Sequence, residues 1–210
     1  DMLGEAARTA DDANKYFQAY ADAITAIGGE ANSDEVHSNP GISIKLSALH
    51  PRYEHSQHER VIAELLPRLK TLALQACAAN IGLTIDAEEA DRLELSLDLI
   101  EALLCQPELE GWSGFGVAVQ AYLKQAPLVI DWLAYLARTK NRRITVRLVK
   151  GAYWDYEIKH AQMLGLENYP VYTRKASTDV SYLACAQRLL KVSDVIYPAF
   201  ATHNAHTACA

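Results

Sequence analysis

The chain has 210 residues, half of them apolar and 22% charged, with a formal net charge of −6. That is apolar material for one core of domain size and excludes a disordered or fibrous chain. The acidic balance excludes a nucleic-acid-binding surface on this stretch, which would need a basic patch. No run of about 18 apolar residues is present to span a membrane, and no basic-then-apolar leader is visible.

Met2-Leu3 reads as the tail of a first strand. Thr9 to Ile27 follows as a long helix with Ala, Tyr and Ile at helical spacing, ended by Gly28-Gly29. Ile42 to Leu46 is a short strand, and Glu59 to Asn80 a helix with an Ile62, Leu65, Leu66, Leu69 stripe. Gly82 to Asp86 is a strand, Glu88 to Leu104 a helix, Gly116 to Gln120 a strand and Pro127 to Arg138 a helix. Ile144 to Val149 is a β-branched strand, followed by a helix over Trp154 to Leu164. Ser177 to Lys191 is a helix with Ser177 or Thr178 as its cap; Ile196 to Thr202 is a strand, and another helix starts at His206. Cys77, Cys105, Cys185 and Cys209 form no CxxC pair and read as buried, reduced thiols, with no metal site.

Repeated βα units with apolar strands imply an α/β fold with a parallel sheet buried on both faces. An open doubly wound sheet and a (βα)8 barrel both fit that alternation. No GxGxxG loop follows a strand, which weakens the dinucleotide-binding form of the first. Polar residues instead end almost every strand: Lys45, Asp86, Gln120, Arg147 with Lys150, and His203. Several strands each donating a residue to one mouth is the pattern of a TIM-type barrel. Five clear strands are too few for a closed barrel, so residues 1–210 are expected to be an incomplete barrel that lacks the C-terminal strands and last helix.

A lysine at the end of a buried strand must find an anion, and Lys45 has two choices: a ligand, or an ion pair with Asp86. Asp86 in turn can cap the helix after it. Gln120 carries donor and acceptor on one amide, suited to the edge of a flavin-like ring. Arg147 is a permanent cation on a rigid strand. Lys150-Gly151-Ala152 offers a charge and unobstructed backbone, which fits a phosphate. Tyr153 and Trp154 suit stacking on a planar ring or core packing. Thr173-Arg174-Lys175, just before a helix, reads as a second anion site or as a solvated basic loop. In Thr202-His203-Asn204-Ala205-His206 the two histidines lack an acidic ligand, so a metal is not expected. The set suits a dinucleotide with a flat redox ring together with a small carboxylate.

The segments GISIKLSALHPRY, IDAEEADRLE, VRLVKGAYWDYEIK, YPVYTRKASTDVSYLACA and FATHNAHT resemble the proline dehydrogenase domain of the bifunctional bacterial proline utilization A flavoproteins. The likeness runs along the whole chain. It implies a distorted (βα)8 barrel that holds FAD and oxidises L-proline to Δ1-pyrroline-5-carboxylate by hydride transfer to flavin N5, with electrons passed to a membrane quinone. By the resemblance, Arg147 stands near flavin N5, and Gln120 and His203 bond the ring edge. Val149, Lys150, Gly151, Ala152 and Trp154 contact the flavin. Thr173, Arg174, Lys175 and Thr178 line its diphosphate and adenosine side, and Thr202 and Asn204 flank His203. Lys45 neutralises the proline carboxylate, Tyr153 packs by the proline ring, and Asp86 serves the polar network on the substrate and cofactor sides. Glu5 resembles an acidic gate.

The family's carboxylate-binding arginine pair falls beyond Ala210, so this stretch alone is expected to be inactive. The resemblance also implies a cytoplasmic parent protein, peripheral at the inner membrane, with an aldehyde dehydrogenase domain outside this chain. DNA binding, where family members have it, belongs to a segment outside this chain. Proline must react as the neutral amine, so activity is expected to rise with pH. Two other readings compete: a barrel with Lys45 or Lys150 as Schiff-base nucleophile, and a scaffold that has lost its cofactor.

Overall fold

The computed structural model describes residues 4–209 and alternates strands with helices. Residues 4–86 and 91–116 make one compact unit, and residues 87–90 and 117–209 a second. Met2-Leu3 lies outside the described residues.

The first unit opens with α1 (Ala10–Gly28), whose start is a capping box: Thr9 Oγ1 accepts the Asp12 N–H and the Asp12 carboxylate accepts the Thr9 N–H, both at 3.1 Å. Then come β1 (Gly41–Ile44), the one-turn α2 (Leu46–Leu49), α3 (His58–Ala78), β2 (Gly82–Ile85) and α4 (Leu93–Leu104). Helices α1 and α4 both pack on α3. The amide of Gln75 on α3 ties α1 down, donating to Ala21 O and Thr25 Oγ1, each at 2.8 Å. β1 and β2 pair in parallel with Gly41 opposite Gly82 and Ile44 opposite Ile85.

Strand β3 (Phe115–Gln120) begins in the first unit and continues into the second. The second unit adds α5 (Ala126–Thr139), β4 (Ile144–Val149), α6 (Trp154–Met163), α7 (Lys175–Lys191), β5 (Ile196–Phe200) and the short α8 (Ala205–Ala208). Helix α7 packs against α5, β4 and β5. The five strands form a parallel sheet in the order β1-β2-β3-β4-β5. That order never reverses, so the switch point of a doubly wound sheet is absent among the described residues.

Several expectations shift. All six residues of β3 are buried, but β1, β2 and β4 alternate buried and half-buried positions, so the sheet is not buried on both faces along its length. The half-buried row carries Ser43, Thr84, Thr145 and Arg147, polar side chains that burial would penalise. Leu46 belongs to α2 rather than to a strand, because the chain turns at once after Lys45. The stripe of α3 runs Val61, Leu65, Leu69, Leu72, Ala73, Ala76; Ile62 and Leu66 do not join it. The small residues at 73 and 76 extend the apolar face to the side of Val61.

Helix α4 starts at Leu93, not Glu88: a 3-10 turn over Ala90–Arg92 leads into it, and the Glu88 carbonyl before that turn is taken by the distant Gln120 side chain. Helix α7 starts at Lys175: the Arg174 carbonyl accepts the Ser177 and Thr178 N–H groups, which leaves those two residues inside the first turn and not at the cap. β5 ends at Phe200, and α8 starts at Ala205 with Asn204 as its cap. Of the cysteines, Cys185 is buried, Cys77 is half-buried, and Cys105 and Cys209 are exposed where helices end.

Leu69 is fully buried at the centre of the α3 stripe. Leu69→Ala should cost about 2–5 kcal/mol, the range for a buried leucine that leaves a cavity. Urea denaturation followed by circular dichroism checks this.

Candidate functional site

In the first unit the parallel register of β1 and β2 carries two charged residues to the same level. Lys45 leaves β1 with its backbone N–H donated to Tyr20 Oη at 3.2 Å, and Asp86 leaves β2 with its N–H donated to Ile44 O at 2.8 Å. Lys45 Nζ then meets Asp86 Oδ2 at 3.0 Å, with the side chains 24% and 11% exposed. An ammonium has three donors, so one carboxylate oxygen aims Lys45 without exhausting it. Asp86 does not cap α4, which begins seven residues later at Leu93. Tyr20, read in sequence only as a member of the apolar pattern of α1, is the buried phenol that orients the Lys45 backbone. Glu5 is exposed on a segment pinned to α2: the Ala6 N–H donates to Ser47 Oγ at 2.9 Å and the Ala7 N–H to Ser47 O at 2.8 Å.

The second unit gathers most of the remaining candidates at the ends of β3 and β4. Gln120 is 2% exposed and both ends of its amide are engaged: Nε2 donates to Glu88 O at 2.9 Å and Oε1 accepts the Ala152 N–H at 3.0 Å. Arg147 and Val149 lie on the half-buried row of β4. Gly151 has φ +146°, and a Cβ there would come within 2.4 Å of the Tyr122 ring. The glycine is therefore demanded twice, by its backbone conformation and by the ring beside it. Tyr122 also donates its backbone N–H to Lys150 O at 2.8 Å. Burial, then the Glu157 carboxylate, pushes the Tyr122 phenol well above its ordinary range, so it is neutral at any working pH.

Lys150 Nζ lies 2.5 Å from Asp179 Oδ1, and Lys175 Nζ lies 2.7 Å from Asp179 Oδ2. The hydrogen bond from Lys150, then that from Lys175, holds the Asp179 carboxyl below the usual carboxylate range. Two candidates thus share one carboxylate. Lys150 also stands over the Tyr182 ring, 5.9 Å from its centroid. Trp154 leaves its indole exposed while Nε1 donates to Tyr172 O at 2.9 Å. Tyr153 precedes it half-buried.

Thr173 and Arg174 are exposed at the start of α7, and Thr178 is buried in its first turn. Thr202 Oγ1 accepts the Asn204 N–H at 3.1 Å and Asn204 Oδ1 accepts the Thr207 N–H at 3.2 Å. These two residues therefore build the turn into α8, with His203 exposed between them. Sequence reasoning missed Asp179 and Glu157. Asp179 has a signal, four residues beyond Lys175 on one helix. Glu157 has none, being indistinguishable in sequence from any acidic residue of an outward-facing helix.

Comparison with known proteins places this geometry in a family. All residues from 1 to 210 match the proline dehydrogenase family, and the chain belongs to it. It is 64% identical over its whole length to the bifunctional protein PutA of Salmonella typhimurium, of which it covers 16%. The crystal structure of a Bradyrhizobium japonicum proline utilization A mutant matches 99% of the chain, and 21% of its own, with TM-score 0.98 and 59% identity. The Bdellovibrio bacteriovorus proline utilization A inactivated by N-propargylglycine matches with TM-score 0.90 and 30% identity, over 98% of this chain and 22% of that one. The chain thus spans about a sixth to a fifth of the length of these relatives.

A carboxyl whose folded pKa is depressed stabilises the fold above its unfolded pKa and loses that contribution as pH falls through the folded value. Asp179 is such a group. Asp179→Asn should therefore lower the melting temperature at neutral pH. The difference from wild type should shrink toward zero as pH drops below about 4, the ordinary carboxylate value. Thermal melts of both proteins across that range check this.

Proposed function

We propose that this chain is the catalytic portion of a flavin-dependent proline dehydrogenase within a longer bifunctional protein, and that it oxidises L-proline to Δ1-pyrroline-5-carboxylate, the first step of proline breakdown. The observation that carries the reading is the family match along the entire chain at 64% identity to a bifunctional relative. The N-propargylglycine of the Bdellovibrio relative is, like proline, a secondary amine bearing a carboxylate. The unreversed order of the parallel strands among the described residues supports part of a (βα)8-type sheet.

The residues of the second unit fit FAD by their chemistry. Lys150 and Lys175 bring two ammonium groups to one carboxylate beside the exposed Arg174, a set suited to a diphosphate. The exposed face of Trp154 suits a planar ring. FAD, when bound, would supply a hydride acceptor at N5, with a membrane quinone as the eventual electron acceptor. Gln120 and His203 would hold the ring edge, with Thr202 and Asn204 shaping the turn that presents His203. Val149, Lys150, Gly151, Ala152 and Trp154 would line the ring, Arg147 would stand near its redox centre, and Thr173, Arg174, Lys175 and Thr178 would hold the diphosphate and adenosine end.

Lys45 binds the proline carboxylate with a donor other than the one given to Asp86, and Asp86 keeps the ammonium aimed. Tyr153 packs on the proline ring, and Glu5 gates entry. The work of these side chains is positioning, which is the main protein contribution to a hydride transfer. Lys45 and Lys150 are each committed to a carboxylate, which speaks against either as a Schiff-base nucleophile.

Lys45→Met should raise KM for proline about ten- to a hundredfold, the worth of one charge-assisted hydrogen bond of roughly 1.5–3 kcal/mol. Steady-state kinetics of the full-length protein check this. The reading as a whole is tested by the visible spectrum of the full-length protein, before and after L-proline is added without oxygen. Flavin bands that bleach support it. Bands that do not respond redirect the search to another amine, and a colourless protein overturns it.

A further inference from the structure

Glu157 lies in the first turn of α6, three residues past Trp154, and is 3% exposed. A carboxylate so buried needs strong partners. Its Oε1 accepts the backbone N–H of Ala90 at 2.7 Å. Residues 87–89 have no regular structure, although Ala87, Glu88, Glu89 and Ala90 are good helix formers and open what reads as a helix to Leu104. Ala90 opens a 3-10 turn, Ala90–Arg92, that leads into α4, and two distant side chains bond this stretch: Glu157 takes the Ala90 N–H, and Gln120 donates to the Glu88 carbonyl at 2.9 Å.

The bonds form one series. Glu157 fixes Ala90, and Ala90 fixes the direction of the Glu88 carbonyl two residues back. That carbonyl takes the Gln120 Nε2 N–H, and Gln120 Oε1 takes the Ala152 N–H at 3.0 Å. A primary amide has two nearly isosteric orientations. Rotating this one would set Nε2 against the Ala152 N–H and Oε1 against the Glu88 carbonyl, donor facing donor and acceptor facing acceptor. The Glu88 carbonyl and the Ala152 N–H therefore select the same orientation.

We infer that Glu157 is a positioning residue: by anchoring Ala90 it sets the Glu88 carbonyl, which locks the Gln120 amide and, through it, the backbone of Ala152. The consequence for a bound flavin rests on the function proposed above. The Ala152 backbone, fixed by the Gln120 amide, would then meet the ring in one orientation. The anchoring itself does not depend on any cofactor.

The test is residue-resolved hydrogen exchange on the full-length protein, with Glu157→Gln and Glu157→Ala beside wild type. In wild type the Ala90 amide should be protected although, as the first residue of a 3-10 turn, it has no partner within that turn; an Ala90 amide at the unprotected rate overturns the inference, and this arm needs no variant to fold. Glu157→Gln keeps an oxygen acceptor and should preserve protection at Ala90 and Ala152. Glu157→Ala should speed exchange at both by at least about tenfold, as for a local opening. Exchange at Ala152 that stays within about twofold of wild type in the alanine variant overturns the inference, as does a glutamine variant that behaves like alanine. Flavin absorbance gives an independent readout, since only the alanine variant should shift its bands or lose flavin on dilution. A protein that shows the exchange pattern but carries no flavin keeps this inference and removes the proposed function instead.

Discussion

The end of β3 is the constraint on which the second unit depends. The strand is buried throughout, so the polar groups at its exit must be satisfied by protein rather than water. The Ala121 N–H goes to Val149 O and its carbonyl takes the Ser181 hydroxyl; the Tyr122 N–H goes to Lys150 O and its carbonyl takes the Tyr172 N–H. The Gln120 side chain adds Glu88 and Ala152. Separate stretches of chain around 88, 150, 172 and 181 are thereby registered against the consecutive residues Gln120, Ala121 and Tyr122. Gly151 must be glycine because the Tyr122 ring occupies the place of its side chain.

The lysines at the strand ends and at the start of α7 do not stand alone. Lys45 is held by Asp86, and Lys150 and Lys175 are held by Asp179. Each carboxylate does two things. It offsets the repulsion between like charges and the cost of removing an ammonium from water, and it fixes a flexible side chain before a ligand arrives. Because an ammonium donates three hydrogen bonds, the pairing does not exhaust it. The three lysines are also partly solvent-exposed, so each ion pair alone contributes little to stability; their value is orientation.

Orientation is also what links a seemingly spare acidic residue to chemistry. The hydrogen bond of Glu157 ends on the backbone of Ala90, yet the bonds that follow reach the Gln120 amide and the Lys150–Ala152 backbone. Small displacements in a buried, hydrogen-bonded series are not absorbed locally, since every member has its geometry set by the next.

Sequence by itself determined the alternation of strands and helices, the limits of β4 at Ile144 and Val149, the entry into α1 at Thr9 and the end of β3 at Gln120, but not the end of β5, which stops at Phe200 short of Thr202. Each is written in local pattern: a β-branched run, a capping box, a polar residue after an apolar stretch. The Lys45–Asp86 pair was legible as well, because parallel strands in simple succession bring their ends to one level. Tertiary structure alone decided where local propensity was overruled. Residues 86–89 stay outside the helical segment, which opens with a 3-10 turn at Ala90–Arg92, and Gln120 and Glu157, 32 and 67 residues away from their partners, bond the Glu88 carbonyl and the Ala90 N–H there. It also decided that Lys150 and Lys175 share Asp179, a bond spanning 29 residues for the first and one helical turn for the second. Bonds that span the chain leave no periodicity to read, since they form only once the strands have fixed which backbone groups are buried and still need a partner.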